Sequence, residues 1–139
     1  MERQGFTLIE LMIVVALIAI ILAMAIPSLV RARTAANEAS AISSLRTLAT
    51  ANGQYRTRFQ SYATTVANLS AAGYIDSVLG SGTKAGYSFT YAGASDTWTT
   101  TAVPVTAGAT GDRGFFEDQS DVIRFSVSGA ATSSSSPLD

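Results

Sequence analysis

A carboxylate set inside an apolar block limits what this chain can become more than any other feature. After the stub Met1-Glu2-Arg3-Gln4 comes Gly5-Phe6-Thr7-Leu8-Ile9-Glu10, then a near-continuous hydrophobic run from Leu11 to Val30. A run of that length would ordinarily be a membrane anchor, which needs about 20 apolar residues. An acidic side chain at bilayer depth costs roughly 2.5–3.5 kcal/mol on insertion scales, so Glu10 marks function by default. Cleavage after Gly5 would give Phe6 a positive α-amino group, four residues before Glu10. In a bilayer or a packed bundle, the carboxylate of one chain and the amine of its neighbour would neutralise each other. Chains paired in this way would assemble with a fixed axial stagger.

The remaining composition excludes several classes. The 139 residues suffice for one domain. Apolar residues make up 47% of the chain, much of it in the first thirty positions, and only 14% of residues are charged. The rest is rich in Ala, Gly, Ser and Thr. The formal charge is −1, and loss of Met1 to Gly5 would remove Glu2 and Arg3 together and leave it unchanged. Without a basic excess or stripe, no nucleic acid is inferred as a partner. There is no Cys and no His. Their absence excludes thiol nucleophiles and disulfides, most transition-metal sites and the commonest general base. Nor is there a nucleophile–base pair or a Gly-rich phosphate cradle opening a helix, so the sequence points away from an enzyme.

From Phe6 the pattern is helical and continues past Val30. Arg31, Arg33, Asn37 and Glu38 mark the exit from hydrocarbon, with the arginines as cationic anchors at headgroup level. Ile42, Leu45, Leu48 and Ala49, then Tyr55, Phe59 and Tyr62, recur at three- and four-residue steps and define one apolar face. Ser44, Arg46, Thr47, Thr50, Gln54 and Arg58 take much of the opposite side. A helix from Phe6 to about Phe59 would be roughly 80 Å long at 1.5 Å per residue, too long for one small globular domain. Its N-terminal part must be buried in lipid and later in other subunits. Pro27 removes a backbone donor and crowds the preceding turn, which predicts a kink or local unwinding.

Beyond Gly53 the character changes. A short helical turn is expected over Val66 to Ala72, ended by Gly73, and a glycine-bearing turn at Leu79 to Thr83. Tyr87, Phe89 and Tyr91 alternate with Ser88 and Thr90 in the period of a half-buried strand. Trp98 to Val105 gives a second strand, with Ala94-Ser95-Asp96 as the turn between them and Pro104 at its exit. Phe115-Phe116 and Val122 to Val127 supply a third and a fourth, and Gly129 to Asp139 is expected to fray. The fold class is therefore α+β: a long N-terminal α-helix packed on a small C-terminal antiparallel sheet of three or four strands.

Gly-Phe-Thr-Leu-Ile-Glu-Leu-Met-Ile-Val-Val (Gly5 to Val15) resembles the class III signal of type IV pilins and of their relatives, the pseudopilins of type II secretion. Thr110 to Arg124 also resembles a C-terminal pattern of one pilin and pseudopilin subgroup, which extends the likeness over nearly the whole chain. The resemblance implies a pilin fold and residues 1–5 as a prepilin leader. It makes 6–30 the membrane and filament-core helix, and 31–139 the periplasmic or extracellular globular domain with the amphipathic half of the helix. It implies cleavage between Gly5 and Phe6 by a prepilin peptidase in the inner membrane, N-methylation of Phe6, and Glu10 as the assembly carboxylate. It makes Pro27 a place where the helix yields on packing. It implies a homo-oligomeric helical filament raised by an inner-membrane assembly machinery, either an extracellular type IV pilus or a periplasmic pseudopilus. The Ser-rich tail and the large Ala, Thr and Gly content lean toward the pilus. Many relatives in Gram-negative bacteria close the C-terminal region with a disulfide, and this chain, without Cys, departs from them.

Four further features have competing readings. Ala23-Met24-Ala25 fits ordinary signal-peptidase cleavage, which would release a secreted soluble binding domain starting at Ile26; the apolar run is longer than such signals use. Asp112, Glu117, Asp118 and Asp121 form an acidic cluster that, by analogy with major pseudopilins, is a candidate calcium set, although Arg113 and Arg124 are placed to pair with the same acids. Tyr55, Phe59 and Tyr62 form an aromatic stripe that invites a reading of electron conduction along a filament but is already explained by packing. Asn68-Leu69-Ser70 and Ser133 to Ser136 match glycosylation patterns of low specificity.

Overall fold

The computed structural model describes residues 5–138; the stub Met1 to Gln4, which holds most of the expected leader, and Asp139 lie outside the described residues. Two compact units make up the chain, Met1–Arg33 and Thr34–Asp139. Helix α1 (Leu8–Phe59) contributes residues to both. Its helical course continues through Pro27 with no local unwinding, although the proline offers no N–H to the Ala23 carbonyl.

In the first unit every described residue from Gly5 to Arg33 is exposed. A helical stretch that is apolar all round has to be buried by something outside itself. By length and composition α1 is long and apolar enough to cross a membrane.

In the second unit Thr34, Glu38, Ala41, Leu45, Leu48 and Asn52 are buried and Tyr55 half-buried, at alternating steps of four and three that fall on one face of α1. The expected stripe therefore holds from Ile42 through Tyr55 and fails at Phe59. Phe59 is exposed, its ring resting 4.3 Å from that of Tyr55, whereas Ser44, placed on the polar side, is buried and donates to the Ser40 carbonyl (2.9 Å). Glu38, taken as a marker of the exit from hydrocarbon, belongs to the packed face.

Leu45 and Leu48 share one core with Leu69 of α2 (Val66–Ala71), Leu79 of α3 (Ser77–Gly80), and Tyr87, Phe89, Ala102 and Phe115 of the sheet. Burying each such leucine stabilises the unit by about 1.5–3 kcal/mol. Gly73 ends α2 at φ +78, as the sequence predicts, and Thr65 caps its start. Helix α3 leads into the expected glycine turn, which Gly82 makes at φ +81 with its N–H donating to the Leu79 carbonyl (3.0 Å). The Asp76 carboxylate accepts from Leu79 N–H (2.9 Å) and nucleates the helix that the sequence reading missed.

The sheet has six antiparallel strands in sequence order: β1 (Thr83–Lys84), β2 (Tyr87–Gly93), β3 (Trp98–Pro104), β4 (Gly114–Asp118), β5 (Arg124–Ser126) and β6 (Ser136–Pro137). The two beyond the expected four are two residues long each, too short to carry an alternation signal. Ala85 and Gly86 turn β1 into β2 with φ of 50° and 75°, the left-handed pair that matches strand twist in a two-residue hairpin. The C-terminal segment does not fray. Residues of β6 pair with β5, Leu138 N–H donates to the Ile123 carbonyl (2.7 Å) and Ala131 is buried.

Candidate functional site

The N-terminal motif is built by the start of α1. Thr7 precedes the first helical residue, and Glu10 is the third residue of the helix. Thr7 donates to Glu10 Oε2 twice, through its N–H (2.8 Å) and its hydroxyl (2.6 Å), and Glu10 N–H donates back to Thr7 Oγ1 (3.3 Å). This is a capping box, in which two backbone donors that the helix start would leave unpaired are each satisfied by the other residue's side chain. The carboxylate also lies at the positive end of the helix dipole. Both effects offset part of the cost of placing Glu10 among apolar residues. Sequence reasoning gave Glu10 an intermolecular role alone; the signal for the second role was present, since Thr7-Leu8-Ile9-Glu10 is T-x-x-E ahead of an apolar run. Gly5 and Phe6, the residues of the expected cut, are exposed two positions and one position before this box.

The second unit carries a clamp that the sequence did not reveal. Glu38 Oε1 accepts from the N–H groups of Asp112 (3.0 Å) and Arg113 (3.1 Å). Its Oε2 accepts from Arg113 Nε (2.9 Å) and lies 2.8 Å from Arg113 Nη2, a two-pronged guanidinium–carboxylate pair. One residue earlier, Asn37 Nδ2 donates to the Thr110 carbonyl (2.8 Å). Tyr87 donates its O–H to the Arg113 carbonyl (2.8 Å), and a Cβ at Gly111 would overlap the Tyr87 phenol, so glycine is required there. Burial pushes the Glu38 carboxyl up, but the hydrogen bonds from Asp112 and Arg113 and the guanidinium charge outweigh it and hold the group below the ordinary carboxylate value.

The four acids of the expected calcium set are not gathered. Asp112 is exposed with its N–H turned to Glu38, and Asp118 Oδ1 accepts from Ser120 N–H (2.9 Å). Glu117 is 2% exposed in β4, and Asp121 is exposed at φ +57 in the turn that follows. Among the described residues no three acidic side chains converge in a group that could hold a metal ion. The arginines do not pair with them either: Arg113 is taken by Glu38, and Arg124 Nη1 donates to the Ser135 carbonyl (2.9 Å). The aromatic residues Tyr55, Phe59 and Tyr62 do not form one stack; Tyr55 contacts Phe59 and Tyr74, while Tyr62 packs edge-on to Trp98.

Residues 1–26 match the family model of the prokaryotic N-terminal methylation motif. This segment is a class III prepilin signal, the processing signal of type IV pilins and pseudopilins. It implies processing by a prepilin peptidase and assembly into a filament, and with the apolar first unit it fits membrane anchoring of the precursor. No curated protein matches the chain.

Proposed function

We propose that the chain is the structural subunit of a type IV pilus filament. Prepilin peptidase cuts after Gly5, Phe6 becomes the N-methylated terminus, and residues 6–30 hold the subunit in the inner membrane until assembly. The observation that carries this reading is the pairing of a prepilin signal with a first unit whose described apolar side chains are all exposed. Lipid covers such a surface before assembly and the equivalent helices of other subunits cover it afterwards. Glu10 supplies register by meeting the methylated amine of a neighbour, and its capping box is the form in which it waits. The task is structural, and no catalytic step is assigned to any residue.

The pilus is favoured over the pseudopilus by the character of the second unit, which is small, rich in Ala, Thr, Ser and Gly, and weakly charged. The experiment is deletion of the gene followed by shearing of the cells. Loss of surface fibres with normal protein secretion is expected. Intact fibres with secretion substrates trapped in the periplasm would overturn the pilus in favour of the pseudopilus.

A further inference from the structure

Three buried side-chain atoms have no hydrogen-bond partner among the described residues: Asn52 Nδ2, Thr100 Oγ1 and Glu117 Oε2. Topology brings their residues together. Glu117 is directly opposite Thr100 across β4 and β3, and Thr100 is directly opposite Tyr91 across β3 and β2. Residues paired in this way share a sheet face. On that face the Tyr91 hydroxyl donates to Asn52 Oδ1 of α1 (2.8 Å). A polar row, Tyr91–Thr100–Glu117, therefore crosses the sheet beneath the helix. An ionised carboxylate is the least tolerable member of such a row, because burial removes its water and Oε2 has no hydrogen-bond partner in its place. A neutral carboxyl suits the row better, since it adds an O–H donor for an acceptor such as Thr100 Oγ1 and keeps an oxygen that can accept.

Beside the row lies a cavity of about 380 Å³ lined by Arg46, Ala49, Thr50 and Gly53 of α1 together with Glu117 and Asp121. It gives Glu117 somewhere to go, with a cation at its rim.

We propose that Glu117 is a protonation-controlled latch: neutral, it stays in the polar row under α1; ionised, it turns into the adjoining cavity toward Arg46 and loosens β4 from the helix. The charged groups near it are Arg46 from α1, Asp118 at the end of β4 and Asp121 beyond it, with Thr100 from β3 and Tyr91 further along the row. Burial foremost, and Asp121 next, push the carboxyl up to about 7, against the opposing pull of Arg46. The chain has no His and no Cys, the side chains that ordinarily titrate nearest neutrality. Glu38 and Asp76, with values held low, respond only in acid.

The sign follows from linkage. Between the ordinary value of 4.5 and the raised value, the folded chain keeps a proton that the unfolded chain has released. The stability contributed by neutral Glu117 is complete below the lower value, is lost as pH rises to the upper one, and changes no further above it.

The test uses the processed full-length chain in detergent micelles, unfolded by denaturant between pH 5 and pH 8. Trp98, the sole tryptophan, is buried and stacked on Tyr91 (6.3 Å), and its fluorescence reports the row. The unfolding constant of the unmodified chain is expected to rise roughly tenfold or more over this range, since each pH unit between the two values is worth a factor of about ten. Glu117→Gln is expected to flatten the profile. Carboxyl-carbon NMR is expected to show one group titrating near neutrality, its midpoint lowered by Asp121→Asn and raised by Arg46→Gln. A Glu117→Gln profile with the slope of the unmodified chain would overturn the proposal. If that variant does not fold, the exposed Asp121→Asn and Arg46→Gln variants decide, and midpoints unmoved by both would overturn it equally.

Discussion

Arg113 reaches back over 75 residues to Glu38, its Nη2 standing 2.8 Å from Glu38 Oε2 while its own N–H and that of Asp112 bind Oε1. One side chain of α1 thus fixes the loop that leads into β4, and does so at both carboxylate oxygens. The guanidinium also lies over the rings of Phe115 (5.5 Å) and Phe125 (5.6 Å), so it is held from two sides.

Removing Glu38 should therefore destabilise the second unit far more than a surface ion pair would. Glu38→Ala leaves two N–H groups and a guanidinium without their acceptor. The guanidinium side chain is about a third exposed, so the loss is expected at roughly 2–3 kcal/mol, below the 3–5 kcal/mol of a fully buried pair. Denaturant unfolding checks this; a loss under about 0.5 kcal/mol would place the clamp among ordinary surface pairs.

The same carboxylate contributes to acid sensitivity. Its folded value lies below 4.5, so its contribution is present above that pH and is lost as pH falls through the folded value. Glu38→Gln is expected to reduce the fall in stability below about pH 4.5 while leaving the profile above pH 5 unchanged. Unfolding midpoints measured from pH 3 to pH 6 decide the matter.

Tyr91→Phe is a sharper test of core polarity. The Tyr91 hydroxyl contacts both Asn52 Oδ1 (2.8 Å) and the Ala63 carbonyl (2.9 Å), so its loss leaves the buried Asn52 amide with no partner at either end. About 1–3 kcal/mol of destabilisation is expected from such an orphaned group. Tyr91→Phe together with Asn52→Leu should recover part of it, measured as a double-mutant cycle.

At the N-terminus, charge and cap can be separated. Glu10→Ala is expected to leave membrane insertion intact and to stop assembly. Thr7→Ala removes the cap, worth about 1 kcal/mol, and keeps the charge, so filaments should still form. Membrane fractionation and electron microscopy of sheared material give the outcome, and normal filaments from Glu10→Ala would defeat the register argument.

Much of this was legible in sequence because the relevant signals are periodic or local. The Leu45–Leu48 face, the Tyr87–Phe89–Tyr91 alternation and the glycine ending α2 each arise from spacing that a few neighbouring residues fix. Glu10 was legible because an acid inside an apolar run is expensive wherever the chain goes. Glu38 and Glu117 were not, since a glutamate gives no local sign of burial. Glu38 is paid for by an arginine 75 residues away, and Glu117 is buried by pairing across three strands. The acidic cluster misled for the same reason: nearness in sequence placed Asp112 with Glu117, while Asp112 lies exposed in the loop held by Glu38 and Glu117 is buried in β4. The ordered tail was hidden because two-residue strands have no period to show.

The central claim concerns what leaves the membrane and how it begins, so the most direct measurement is the N-terminal residue and intact mass of the protein sheared from cells. The account predicts sedimentable fibres whose subunit starts at N-methylated Phe6, with Met1 to Gly5 removed. Soluble, monomeric material starting at Ile26 would contradict it and leave a secreted domain in place of a filament subunit.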